Sequence, residues 1–251
     1  MLISLMYHHI NGKEFSNNLE VFEKHIVYLI EKYTFVTPDD ELNGDEDYIC
    51  LTFDDAYFDF YHFVYPILKK YNIKAILAVP VGFIDDNTHN IPINTRLSLA
   101  HSEIYQDQNY IHFGSFCSWV ELQEMVDSDL VVIASHSYSH KDLSLNNIDL
   151  YKEVITSKEI LEGKLNIKID SFILPFGRYN KKSLNILKEN YKYIFKVGQG
   201  VNRDFNGVNG LIYRVDGDNI SNIEELFSFK KILHYRVKSF MKSFYDGISK
   251  K

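Results

Sequence analysis

The sequence predicts an α/β protein built on a parallel sheet of about seven strands, closed as a barrel or open and doubly wound. Short apolar runs recur along the chain with amphipathic helical stretches between them. The length, 251 residues, is about that of one α/β barrel domain. No repeat, low-complexity linker or composition shift divides it, so residues 1–251 read as one domain.

The elements follow in order. Leu2 to Met6 is a short apolar strand, and the loop Asn11 to Asn18 leads into a helix over Leu19 to Tyr33. That helix places Val21, Phe22, Ile26, Leu29 and Ile30 on one face. An acidic loop, Asp39 to Asp47, precedes the strand Tyr48 to Phe53, which runs straight into Asp54 and Asp55. A helix from about Tyr57 to Tyr71 follows, then the strand Ala75 to Val79, closed by Pro80 and Gly82. The polar segment Asp85 to Phe116 breaks the rhythm and reads as a lid or insertion.

Ser118 with Glu121 three residues on makes an N-terminal capping box for a helix to about Asp127. Leu130 to Ala134 is the next strand, ending in Ser135-His136-Ser137-Tyr138-Ser139-His140. A helix over Ile148 to Leu165 leads to the strand Phe172 to Leu174, which ends in Pro175-Phe176-Gly177. A helix over Lys181 to Asn190 and strands at Tyr193 to Val197 and Leu211 to Val215 complete the alternation. A last helical stretch runs from about Asn222 towards Ser249.

Composition narrows the function. The chain is 45% hydrophobic and 24% charged, ordinary for a globular protein. A net charge of −7 argues against nucleic acid as a partner. Met1 to Met6 carries no basic start and runs directly into Tyr7-His8-His9, so the chain as given reads as cytoplasmic. Cys50 and Cys117 lie far apart and read as reduced buried thiols.

The chemistry gathers at strand ends. Two adjacent carboxylates, Asp54 and Asp55, are costly there unless a positive partner uses them. His136 and His140, four apart beyond an apolar strand, point the same way on a helical turn or tight loop, as paired metal ligands must. Two imidazoles and one carboxylate are a known Zn²⁺ donor set, and Asp55 is the third candidate. Alone, such a histidine pair is as readily a solvated helix face.

Thr52-Phe53-Asp54-Asp55 together with His136-Ser137-Tyr138-Ser139-His140 resembles the polysaccharide deacetylases, the NodB-homology or carbohydrate esterase family 4. Val79-Pro80-Val81-Gly82-Phe83, Ser118-Trp119-Val120-Glu121-Leu122 and Leu174-Pro175-Phe176-Gly177-Arg178-Tyr179-Asn180 extend the likeness over roughly residues 1 to 220. The resemblance implies a distorted, incomplete (β/α)7 barrel with parallel strands and its site at their carboxyl ends. It implies metal-dependent removal of N-acetyl groups from a sugar or glycan precursor, releasing acetate. Zinc is the expected metal, with cobalt, nickel or iron as substitutes.

The resemblance also assigns roles. Asp54 would be the general base, and Asp55, His136 and His140 the metal ligands. Phe176, after Pro175, would supply a backbone N–H to the oxyanion. The family's usual acid, a late L-x-H histidine, has only His234 as a counterpart, in a stretch that reads as helix. Instead Leu5-Met6-Tyr7-His8-His9-Ile10 resembles the amino-terminal segment of the permuted poly-N-acetylglucosamine deacetylase branch, which makes His8 the general acid. A core histidine is the alternative for His8, while His9 points the other way along the strand.

Arg214, on a late apolar strand, needs a carboxylate; Asp54 and a structural partner elsewhere are equal candidates. Arg178 either contacts substrate or is merely exposed. The same motifs serve O-acetyl esterases and small-amide hydrolases, and a non-catalytic carbohydrate-binding relative is the remaining alternative. From about residue 230 the chain becomes a basic, aromatic tail. It reads either as a closing helix with a solvated face or as a peripheral contact with the inner membrane face, which would suit a lipid-linked precursor.

Overall fold

All seven expected strands form, and they close on one another. The computed structural model describes residues 1–43, 46–106 and 109–245. The amino-terminal part comprises β1 (Leu2–Tyr7), β2 (His9–Ile10), β3 (Ser16–Asn17), α1 (Leu19–Lys32), β4 (Thr34–Phe35) and β5 (Tyr48–Phe53). Next come α2 (Tyr65–Tyr71), β6 (Ala75–Val79), α3 (Ile93–Arg96), α4 (His101–Ile104), α5 (Asn109–Phe113) and α6 (Trp119–Asp127). The remainder is β7 (Val131–Ser135), α7 (Ser157–Leu165), β8 (Ser171–Ile173), α8 (Lys181–Asn190), β9 (Tyr193–Val197), β10 (Ile212–Asp216) and α9 (Phe229–Tyr245).

The barrel runs β1-β10-β9-β8-β7-β6-β5 and back to β1, with every neighbouring pair parallel. It is a distorted (β/α)7 barrel: β7 and β8 share one register pair, Ser135↔Phe172, against five between β6 and β7. β4 is a short addition beside the start of β5.

Side chains alternate across each strand with period two, and this alternation builds two cores. Leu2, Cys50, Ile76, Ala134, Phe195 and Ile212 fill the barrel. Ile3, Leu5, Ile49, Leu51, Phe53 and their counterparts face outward and meet the helices. Inward parity therefore falls on the even positions of β1, β5 and β10. Both cysteines are free and buried.

Three expected helices differ from a plain α-helix. The stretch expected at Tyr57 to Tyr71 begins with a π turn over Phe60–Val64, in which the Tyr65 N–H reaches Phe60 O. Pro66 has no N–H for the usual bond one turn back, so the ladder widens there. The helix expected from Ile148 begins with a π turn over Tyr151–Thr156. Ser157 Oγ donates to the carbonyls of Glu153 and Val154 and inserts into the ladder at that joint. The last helical run is two pieces, a 3₁₀ turn over Ile223–Phe227 and then α9, separated at the extended Ser228. Its expected end near Ser249 lies outside the described residues.

The described residues of the segment 85–116 form a docked insertion. Arg96 forms a buried bidentate pair with Glu121 at 2.6 and 2.9 Å and also donates to the carbonyls of Gly114 and Phe116. Glu121 is the capping-box residue of α6, so the insertion is tied to the start of that helix.

Candidate active site and metal centre

The site follows from register. Met6 on β1 pairs with Thr52 on β5 and with Asp216 on β10. Two residues further along, with the same inward parity, stand His8, Asp54 and Asp218. His136 continues β7 in the same way. The carboxyl ends of β1, β5, β7 and β10 therefore bring these side chains to one mouth of the barrel.

Asp54 is buried, and its partner is Arg214. Nη1 lies 2.6 Å from Oδ1 and Nη2 2.9 Å from Oδ2, with a further bond from Nη1 to Thr52 Oγ1 at 3.0 Å. Arg214 is fully buried inside the barrel, so the choice left open in the sequence falls to Asp54. Burial pushes the Asp54 carboxyl up, but the charge and hydrogen bonds of Arg214 outweigh it and hold the group below its ordinary value.

Asp55 departs from the strand with φ 70°, which swings its side chain towards the β7 loop. Its Oδ1 lies 3.6 Å from His136 Nε2 and 3.3 Å from His140 Nε2. One donor atom from each of the three falls within 4.8 Å of the others. His136 Nδ1–H donates to the Ile173 carbonyl at 2.8 Å, which fixes the tautomer and leaves the Nε2 lone pair facing Asp55. Burial lowers His136 to about 4, so the ring is neutral, as a ligand must be. A carboxylate and two imidazoles converging in this way fit Zn²⁺ or a similar divalent ion.

The histidine pair sits on a tight loop rather than a helical turn, with Ser137 and His140 both at positive φ (67° and 51°). Glu153 clamps that loop, accepting from Ser139 N at 2.8 Å and from its Oγ at 2.5 Å. Gly82 packs under it: a Cβ there would sit 2.7 Å from the Tyr138 carbonyl oxygen. Phe176 is left-handed too, at φ 56°. Left-handed non-glycine residues cost of order 1–3 kcal/mol each, and their concentration around this mouth marks a site held in place by its surroundings.

His8 is clasped by Asp218. Its backbone N–H donates to Oδ1 at 3.1 Å and its Nδ1–H to Oδ2 at 2.6 Å, which leaves Nε2 facing Asp54 Oδ2 at 3.8 Å. Burial by itself would lower the imidazole, but the Asp218 hydrogen bond and the charges of Asp54, Asp218 and Asp55 raise it to about 9. His8 thus has a carboxylate partner rather than a backbone one. His9 points outward, as expected, stacking on Tyr57 and bonding Asp59 Oδ2 at 2.8 Å.

In the third motif the Gly177 N–H donates to Leu174 O and the Arg178 N–H to Pro175 O, bonds that do not use the Phe176 N–H. The Phe176 ring is 59% exposed and lies 4.7 Å from the His140 ring. Arg178 is exposed and pairs with Asp142 at 3.0 Å. His234 is exposed on α9 and stands in none of these contacts.

Two residues of the site had not been singled out in the sequence. Asp218 lies just beyond β10 as Asp54 lies just beyond β5, and the signal is an apolar run closing on Asp216-Gly217-Asp218. Gly217 allows the approach, since a Cβ there would lie 2.7 Å from the Tyr7 ring. Tyr105, from the insertion, donates to Asp55 Oδ1 at 3.1 Å and stacks on the His140 ring at 5.6 Å. Its hydroxyl accepts from Tyr57, whose own oxygen lies 3.0 Å from His101 Nδ1. No motif in the segment announces it.

Comparison with known proteins bears on the family and on the fold. The sequence pattern of the family described as polysaccharide deacetylase matches residues 41–193. The chain belongs to the polysaccharide deacetylase family. It is 26% identical over 193 residues to Bacillus subtilis (strain 168) YxkH, covering 72% of this chain and 58% of that protein. It is 26% identical over 185 residues to the Escherichia coli (strain K12) poly-β-1,6-N-acetyl-D-glucosamine N-deacetylase, covering 62% of this chain. The chain thus spans 58% of the first relative and 26% of the second.

Among solved structures, the Streptococcus pyogenes deacetylase PplD, in complex with acetate, superposes with TM-score 0.68 at 25% identity, covering 90% of this chain and 96% of that one. IcaB from Ammonifex degensii shares the fold, with TM-score 0.67 at 21% identity over 87% of this chain and 92% of that one.

Proposed function

We propose that this member of the family is a metal-dependent N-deacetylase that releases acetate from an N-acetylated sugar or glycan precursor, including a lipid-linked one. The observation that carries the reading is the convergence at one barrel mouth of Asp55, His136 and His140 with Asp54–Arg214 and His8–Asp218. The E. coli relative named for poly-N-acetylglucosamine and the acetate bound to PplD support the sugar and the product.

Asp55, His136 and His140 would hold the ion. It would polarise the acetyl carbonyl and bring a water's pKa to about 7. Asp54, off the ion and kept ionised by Arg214, accepts the proton of the attacking water. The Phe176 N–H donates to the developing oxyanion. His8, protonated and oriented by Asp218, gives its proton to the leaving amine. Phe15, 49% exposed beside His8, and Phe176 beside His140 offer apolar faces to a sugar ring.

The test is acetate release from N-acetylated mono- and oligosaccharides by apo protein with zinc, cobalt, nickel or iron added back. Activity should require the added ion, and acetate from O-acetylated sugars alone would overturn the reading. His140→Ala should lose metal by more than the roughly 10–100-fold that removal of an outer partner costs. Tyr105→Phe, which removes the hydroxyl bonded to Asp55, is expected to fall within that 10–100-fold range when affinity is measured by chelator competition. An unchanged affinity would show that the Tyr105 bond does not support the ligand.

A further inference from the structure

α9 has two apolar faces, and the fold uses one. Tyr235 and Ser239 are buried, Ile232 packs against the main core, and Ser239 Oγ donates to Val201 O at 2.7 Å. Phe229, Leu233, Val237, Phe240 and Phe244 are 48% to 86% exposed. At 100° per residue these five fall within an arc of about 80°, centred about 130° away from the inner face. A stripe of three phenylalanines, a leucine and a valine left facing outward is not what a solvated closing helix requires.

Charge selects what covers it. The helix carries Lys230, Lys231, Arg236, Lys238 and Lys242 and no acidic residue, in a chain whose net charge is −7. Lys230 and Arg236, both exposed, stand at the two edges of the stripe. An apolar stripe edged by cations complements a surface that is apolar beneath and anionic above. Among the described residues no helix is long and apolar enough to cross a membrane, so the contact is with the surface.

We propose that α9 docks the protein onto an anionic lipid bilayer, its five apolar side chains entering between the headgroups and Lys230 and Arg236 meeting lipid phosphates. The proposal does not depend on the deacetylase reading, since none of these residues touches the barrel mouth.

The test is co-sedimentation of the full chain with vesicles of phosphatidylglycerol and phosphatidylethanolamine in equal parts, against vesicles of phosphatidylcholine. Binding is expected to the anionic vesicles only and to weaken with added salt. Lys230→Gln with Arg236→Gln should lower the partition coefficient by roughly twenty-five-fold, since each cation near the surface contributes about fivefold. Phe240→Ser with Phe244→Ser should lower it at least as much, while the circular dichroism and Tm stay those of the parent. Three results would each overturn the proposal. They are no binding to anionic vesicles, binding unaffected by the phenylalanine pair, and a parent dimer that the phenylalanine pair dissociates, which would assign the stripe to a second copy.

Discussion

Asp54→Asn is expected to lower turnover by two to four orders of magnitude while the metal stays bound. The side chain lies outside the Asp55-His136-His140 set, so its amide leaves the three donors untouched. Lost instead is the one carboxylate, ionised across the working range, that can accept the proton of the attacking water. A second consequence follows from Arg214. Its guanidinium is fully buried and donates to both Asp54 oxygens. With asparagine, one of those donors faces an NH₂ group and the buried cation loses its counter-charge, at a cost of about 3–5 kcal/mol in stability.

The two effects separate in a cycle. Asp54→Asn with Arg214→Met removes the stranded charge, so Tm should recover most of its loss while turnover does not. Because the folded carboxyl lies below its unfolded value of about 3.9, its contribution to stability is present above that pH and is lost as pH falls through the lower folded value. The double variant should therefore show a shallower acid limb in Tm against pH. Turnover by Asp54→Asn within tenfold of the parent would remove the base role.

Much of this site can be read along the chain because parallel strands end where their chemistry begins. The run Tyr48–Phe53 is buried throughout, and the next two residues are the proposed base and one of the three side chains that could hold a metal. The spacing of His136 and His140 survives even though its backbone is a left-handed loop, because a tight loop and a helical turn both turn two imidazoles to one side. The Arg214–Asp54 pair was open in sequence because a buried arginine states only that it needs an acid. The register Ser4↔Cys50 and Ser4↔Arg214 closes the barrel and brings that acid into reach.

What the sequence did not reveal depends on contacts between segments far apart in the chain. Asp218 meets His8 across 210 residues, and Tyr105 reaches Asp55 from an insertion with no periodicity. The π turns arise from Pro66 and Ser157 acting on a ladder whose hydrophobic pattern is unchanged. The stripe on α9 was visible as composition, but only packing tells which of its two faces the barrel covers.

His8→Ala is the other large loss, expected at two to four orders of magnitude on an N-acetyl sugar and far less on an aryl acetate. A sugar amine is a poor leaving group until protonated, whereas an aryl oxide departs unaided, so the contrast isolates the acid role from mere positioning. Asp218→Asn tests the same role through pH. A proton donor must carry its proton, so kcat/KM falls as pH rises through the pKa of His8, about 9 in the free site and lower beside a bound cation. Asparagine at 218 removes the negative charge and leaves at most a neutral amide acceptor. Burial, which lowers the imidazole, is then opposed mainly by the charges of Asp54 and Asp55, and the pKa of His8 falls. The alkaline limb should therefore move to lower pH with kcat near its plateau less affected. The stability linkage has the same sign. A raised folded pKa stabilises below the unfolded value of about 6.5 and loses that contribution as pH climbs through about 9, so Asp218→Asn should flatten the alkaline fall in Tm. An alkaline limb that does not move in Asp218→Asn would take the proton away from His8, whatever the alanine variant does to rate.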